Sequence, residues 1–171
     1  CTKLGDRADR LTAVAMHSAT EAALRKLDLI DFIPDSEGKA MLRTFLQHTS
    51  AGTNHATGKI GTPLDLITFH AKGRPTFVEG RVRMGVANQL RSINNHFAVV
   101  KEFPMYAKTP IVIGESDPEG CAACGVSHYP QNGYRNGTMF PTYTALQIAR
   151  TYELADLHQV NLLGAVTWAF L

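Results

Sequence analysis

Three short apolar runs punctuate this chain: residues 64–70 (LDLITFH), 110–115 (PIVIGE) and 161–170 (NLLGAVTWAF). Each is rich in Ile, Val, Leu or aromatic side chains, with little strict alternation. That is the pattern of strands covered on both faces. Between the runs, apolar positions recur at helical spacing. Val86, Leu90, Ile93, Phe97 and Val100 predict a helix within 82–103, and Ala145, Ile148, Ala149, Tyr152 and Ala155 predict another within 142–159. Upstream, Met41, Leu42, Phe45 and Leu46 mark a helix over 37–50. Ala13, Ala15, Ala19, Ala22 and Ala23 favour a further one over 11–27.

The predicted order is helix, helix, strand, helix, strand, helix, strand. Strands separated by single helices imply right-handed crossovers and a parallel sheet, hence an α/β fold. No internal repeat or low-complexity linker divides the 171 residues, so one domain is expected. The segments after the first two strands, 71–81 and 116–139, read as long polar loops. Ligands bind at this end of the strands in barrels and in doubly wound sheets. The chain opens on Cys1 and stops just after an apolar strand, and three strands cannot close a barrel of about 250 residues. The sequence therefore reads as a piece of a larger fold, with a small open three-layer domain as the alternative.

Composition narrows the function classes. Charged residues make up 19%, and the net charge of +2 gives no electrostatic case for nucleic acid or an anionic membrane. No apolar stretch approaches the length of a membrane span, and no signal peptide is visible, which leaves the compartment unassigned. Three cysteines are too few for a disulfide framework. Cys121 and Cys124 form a Cys-x-x-Cys that suits a loop-stapling disulfide or two unreactive thiols. A thiol–disulfide protein using this pair is a rival function. No Gly-rich phosphate loop or metal-ligand spacing is present, so neither a cofactor nor a metal is expected.

Glu115 stands out chemically. A short apolar strand delivers this carboxylate to the rim of the sheet, where it can act as nucleophile or base, or merely cap the next loop. His70 occupies the same position on the preceding strand, where neutral imidazole can both donate to and accept from a substrate. Lys72 and Arg74 follow it, either as solvated loop charges or as cations suited to an acidic sugar. Asp117 and Glu119 lie just beyond Glu115, and either could bind a hydroxyl or cap the loop. Tyr129, Asn132, Tyr134, Arg135 and Asn136 form a polar–aromatic cluster of the kind that carbohydrate pockets use, or a loop with its own internal hydrogen bonds. Trp168 is the single tryptophan, and either packs in the core or offers a flat face to a sugar.

Four segments carry a family resemblance: 61–73 (GTPLDLITFHAKG), 110–124 (PIVIGESDPEGCAAC), 129–138 (YPQNGYRNGT) and 161–170. From roughly Gly38 to Leu171 the chain resembles glycoside hydrolase family 39, the β-xylosidase and α-iduronidase group, and most of all its bacterial β-xylosidase-like members. Residues before about Asp35 match poorly. The resemblance implies a partial (β/α)8 TIM barrel, roughly strands six to eight with their helices. It implies Glu115 as catalytic nucleophile, His70 lining the sugar subsite and Trp168 as sugar platform. Lys72, Asp117, Tyr129, Asn132 and Tyr134 stand as further candidate substrate contacts on their own chemistry, with the alternatives given above.

The implied reaction is retaining β-glycoside hydrolysis, in which a second carboxylate roughly 5 Å away serves as acid and then base. In this family that residue sits in an Asn-Glu dipeptide, and none occurs here. The chain would hold the nucleophile half of the site and be inactive alone, because one carboxylate cannot both attack and protonate the leaving group. The implied partners are a β-xyloside or related carbohydrate and the missing N-terminal half of the barrel. A non-catalytic carbohydrate-binding or structural half-barrel is the remaining alternative.

Overall fold

The computed structural model of the protein describes residues 39–54, 57–119, 121 and 124–167. The helix expected over 11–27 and Trp168 lie outside the described residues. Helix α1 (Lys39–Ala51) leads to strand β1 (Ile67–His70). A hairpin of β2 (Thr76–Val78) and β3 (Arg81–Arg83) follows, then α2 (Val86–Lys101), β4 (Ile111–Glu115), α3 (Met139–His158) and β5 (Leu162–Ala165). Short 3-10 turns cover Pro104–Tyr106 and Pro130–Asn136. β1, β4 and β5 form a parallel sheet in the order β1-β4-β5, so the strand carrying Glu115 is central. This is the mixed α/β arrangement with a parallel sheet that the alternation of runs predicts.

The hairpin is the departure from the expected loop. Three-residue strands are too short to show a period, and their turn lacks the usual Asn-Gly. Glu79 and Gly80 supply it with left-handed backbone, φ 50° and 74°. Pairing of Arg81–Arg83 into β3 also delays the next helix. It starts at Val86, after Gly85 at φ 65°, and not at Val82. Gly85 is required twice over, because a Cβ there would sit 2.6 Å from the Arg74 carbonyl.

The core lies between the sheet and α2. Leu46, Ile67, Ile93, Phe97, Ile111 and Ile113 have no exposed surface. On α2 the buried stripe runs Gln89, Ile93, His96, Phe97 and Val100, the spacing of one helix face. The His96 ring stacks on Phe69 at 4.4 Å, and Phe97 meets Phe69 edge-on at 6.0 Å, so β1 is backed by aromatic contacts. α2 ends before Pro104, which cannot extend it. There Arg43 from α1 grips Glu102 with two 2.7 Å bonds and holds its carboxyl below the usual range. Among the described residues no helix is long and apolar enough to cross a membrane.

Candidate active site

The parity of β1 and β4 decides what reaches the site. Along β1 and the two residues after it, Ile67, Phe69 and Ala71 are buried, while Thr68, His70 and Lys72 are only partly buried and alternate with them. On β4, Ile111 and Ile113 are buried, so strict alternation would send residue 115 inward as well. It does not go there. The register runs Phe69↔Ile113 and then His70↔Glu115, leaving Gly114 as an extra residue opposite the Phe69/His70 step. A one-residue insertion of this kind flips every later side chain to the other face. The bulge turns Glu115 to the His70 side and sends Ser116 toward the helices. A Cβ at Gly114 would meet the His70 ring at an ordinary contact distance of 3.5 Å.

Four side chains then converge beyond the strand ends. The Lys72 ammonium lies 2.6 Å from Glu115 Oε2 and 2.5 Å from Asp117 Oδ2. His70 Nδ1 is 3.5 Å from the same Glu115 oxygen. The Thr167 hydroxyl, just past β5, donates to Asp117 Oδ1. The side chains of His70, Lys72 and Glu115 are each about a quarter exposed, whereas that of Asp117 is 8% exposed. Of the two readings of Lys72, the geometry favours a held cation over a solvated loop charge. Charge-assisted bonds on both sides give it a fixed position. Asp117 is the deeper counter-ion, fastened to β1 and to the segment after β5.

Backbone bonds carry the sheet beyond its strands. Ala71 N–H donates to the Glu115 carbonyl and Gly73 N–H to the Asp117 carbonyl, both at 3.0 Å. Ser116 N–H donates to the Val166 carbonyl at 2.8 Å. A Cβ on Gly73 would stand 2.2 Å from the Pro118 carbonyl oxygen, so only glycine permits this approach of the two loops.

The loop after Glu115 is stapled. Cys121 and Cys124 are joined by a disulfide, with Cα atoms 5.3 Å apart. Arg135 pairs with Glu119 and donates to the Cys121 carbonyl, while the Asn132 amide donates to the Cys124 carbonyl. Burial opposes the charge on Arg135, but its bonds to Glu119 and Tyr134 outweigh this and raise its pKa. Burial pushes the Tyr134 phenol up to about 12, against the pull of Arg135. Asn132 and Tyr134 are both buried, so the structure brings them to the interior of the loop. Tyr129 is 44% exposed and borders a cleft of about 320 Å3 with Arg74, Glu119, Gln131 and the disulfide. Among the described residues no group of three or more His, Cys, Asp or Glu side chains could hold a metal ion.

Behind the strand ends lies a buried polar group that the hydrophobic pattern does not reveal. Gln89 of α2 donates to the Ala71 carbonyl and to Ser116 Oγ, both at 2.9 Å, and accepts from the Tyr143 hydroxyl of α3. Burial, then the charges of Tyr134 and Asp117, raise the Tyr143 phenol, which therefore remains a donor. One signal could have found it: Gln89 falls on the helix face of Ile93 and Phe97, four residues before Ile93.

No protein-family model matches the chain. A 74-residue stretch, 43% of the chain, is 38% identical to human α-L-iduronidase and covers 10% of that protein. A 44-residue stretch, 26% of the chain, is 48% identical to the major capsid protein of Bacillus phage SPP1 and covers 14% of it. A solved structure of the bacterial orthologue of human α-L-iduronidase matches 90% of the chain with a TM-score of 0.61 and 18% identity. The chain covers 25% of that structure. It thus spans between a tenth and a quarter of the length of these proteins. At 18% identity the structural likeness is one of fold. It does not reach glycoside hydrolase family 39 or a β-xylosidase in particular.

Proposed function

We propose that this chain belongs to a retaining glycoside hydrolase and carries the nucleophile half of its site, with Glu115 as the attacking carboxylate. One observation carries the reading. The bulge at Gly114 turns Glu115 out of the core beside His70, and Lys72 lies 2.6 Å from its Oε2. A carboxylate fixed by a neighbouring cation at a strand end is placed to attack an anomeric carbon, with little orientational freedom left to lose. The fold likeness to an α-L-iduronidase orthologue supports the same reading, and makes a partial TIM barrel the natural architecture. The 171 residues contain no Asn-Glu dipeptide, so the acid/base residue would come from the remainder of the barrel. His70 would hydrogen-bond a sugar hydroxyl, Trp168 would supply an aromatic platform, and the cleft at Tyr129 would take the next sugar unit.

Lys72 bears on the sugar. A neutral xyloside leaves its ammonium to Glu115 and Asp117. A uronide would bring a third carboxylate to the same cation, and so tests the substrate class directly. The experiment is intact-mass measurement after incubation with 2-deoxy-2-fluoro glycosides bearing a dinitrophenyl leaving group, one xyloside and one uronide. Dinitrophenolate departs without an acid catalyst. A one-sugar mass gain that vanishes in Glu115→Ala is the expected result, and the sugar that labels faster names the class. A folded chain that gains no mass from either reagent would overturn the nucleophile assignment.

The capsid-like stretch favours a second reading, self-assembly into a protein shell. It predicts large uniform particles in sedimentation velocity, and one slow-sedimenting species would sink it.

A further inference from the structure

Ala71 and Ser116 alternate with the site residues. Ala71 lies between His70 and Lys72, and Ser116 between Glu115 and Asp117. Both are buried on the helix side of the sheet, opposite the face where their neighbours converge. Anything that grips these two from behind therefore fixes the four in front.

Gln89 does so. It has no exposed surface, and its single amide nitrogen bonds both strands, Ala71 O and Ser116 Oγ, at 2.9 Å each. The Ala71 carbonyl can only accept, so the nitrogen must face it. A flipped amide would set oxygen against oxygen at Ala71 and a donor against the donating Tyr143 hydroxyl. With both amide hydrogens and the carbonyl engaged, the side chain has one orientation left. The bracing sits where the seam most needs it. The β1–β4 register slips at this step, and two backbone bonds alone continue the seam beyond the strands. Tyr143 braces the brace from α3, and its hydroxyl lies 2.6 Å from where a Gly73 Cβ would stand.

We infer that Gln89 is a positioning residue, which sets how far apart and at what angle His70 at the end of β1 and Lys72 just beyond it meet Glu115. Its geometric role stands on the contacts alone, and its bearing on catalysis rests on Glu115 being the nucleophile. A residue that merely satisfies buried polar groups would affect stability without altering the Lys72–Glu115 geometry.

The test uses the full chain with Gln89→Met and Gln89→Glu, and two readouts. The first is zero-length carbodiimide cross-linking, in which Lys72 Nζ attacks the activated Glu115 carboxyl. An isopeptide bond forms, the reagent leaves as its urea, and the protein loses one water, mapped by peptide mass. The second is labelling by the fluoroglycoside. Gln89→Met is expected to keep its circular dichroism but lose most of the cross-link, and to label about a hundredfold more slowly, since displacements of an ångström carry penalties of that order. A folded Gln89→Met with the parent's cross-link yield overturns the inference.

Should Gln89→Met not fold, Gln89→Glu decides. A buried carboxylic acid stays protonated more readily. At about pH 5 the carboxyl introduced by Gln89→Glu can donate to Ala71 as the amide does, and at about pH 7.5 it loses that ability. The cross-link yield of this variant relative to the parent should recover at the lower pH, and a ratio indifferent to pH overturns the inference. If the parent does not label while the cross-link still responds to the substitutions at position 89, the nucleophile reading fails and the positioning role stands. If the parent labels and both variants match it in cross-link and rate, the reverse holds.

Discussion

The central strand β4 has two neighbours, and they are covered very differently. On the β1 side, Ile67 and Phe69 are buried and α2 sinks six residues into the core. On the β5 side, Leu163 is 65% exposed, and α3 buries only Tyr143, Gln147, Thr151 and Ala155 while Leu146, Ile148, Tyr152 and Leu157 face outward. Yet the two sides look alike in the sequence: an apolar run flanked by an apolar helical period. Hydrophobic patterning reports that a segment is suited to being covered, and is silent on what covers it. The described residues cover one side, in a chain that spans a quarter of its structural neighbour's length.

The sharpest way to break this comparison is at the seam. Exchanging residues 115 and 116 (Glu115→Ser with Ser116→Glu) would put the carboxylate on the face turned toward α2, so fluoroglycoside labelling should fall to nothing, as in Glu115→Ala. Labelling that survives the exchange would mean that position 115 is not what aims the carboxylate. Next comes a matched pair of helix substitutions. Phe97→Ala on α2 should cost about 3–5 kcal/mol in urea unfolding, because a fully buried ring leaves a cavity. Leu157→Ser on α3, at a position 67% exposed, should stay within about 0.5 kcal/mol. Equal costs would show that the α3 face is covered in solution.

Smaller effects sharpen the picture around the loop. Gly73→Ala should cost about 1–3 kcal/mol by the same measurement, since its methyl meets the Pro118 carbonyl and the Tyr143 hydroxyl. Tyr134 gives a pH signature. Its folded pKa of about 12 lies above the ordinary 10, so its contribution to stability is whole below pH 10 and fades as pH rises toward 12. Phenolate absorbance should show two late-ionising tyrosines, Tyr134 and Tyr143, and Tyr134→Phe should remove one of them. A Tyr134 that titrates near 10 would place its ring in water.

How much of this is legible in the sequence follows from what each segment signals. His70 and Glu115 are readable because each ends an apolar run, and the three sheet strands are readable for the same reason. The bulge is not, since PIVIGE carries no mark that Gly114 is unpaired. The β2–β3 hairpin escapes because TFV and RVR are shorter than one full alternation, and Glu-Gly is a weak turn signal. Gln89 escapes because α2 carries several polar residues, and one among them reads as surface until its partners appear. For the loop residues Asn132 and Tyr134 the sequence offers substrate contact or internal hydrogen bonds, and the structure shows the internal bonds. Their chemistry suggests contact with substrate, but burial turns that chemistry inward to the disulfide and Arg135.

The parallel sheet also has a consequence in time. β1 meets β4 through Ile67 and Ile111, and β4 meets β5 through Ile111 and Leu162, with a whole helix between the partners in each case. Such distant pairings must absorb loop-closure entropy before any contact rewards it, which slows folding relative to local structure. The helices and the β2–β3 hairpin can form from neighbours in sequence, but the Lys72–Glu115 contact cannot exist until the first crossover has closed. Asp117 waits on the second as well, for Thr167. The cluster at the strand ends is therefore a late product of folding, and its assembly can be followed as a clock for the whole sheet.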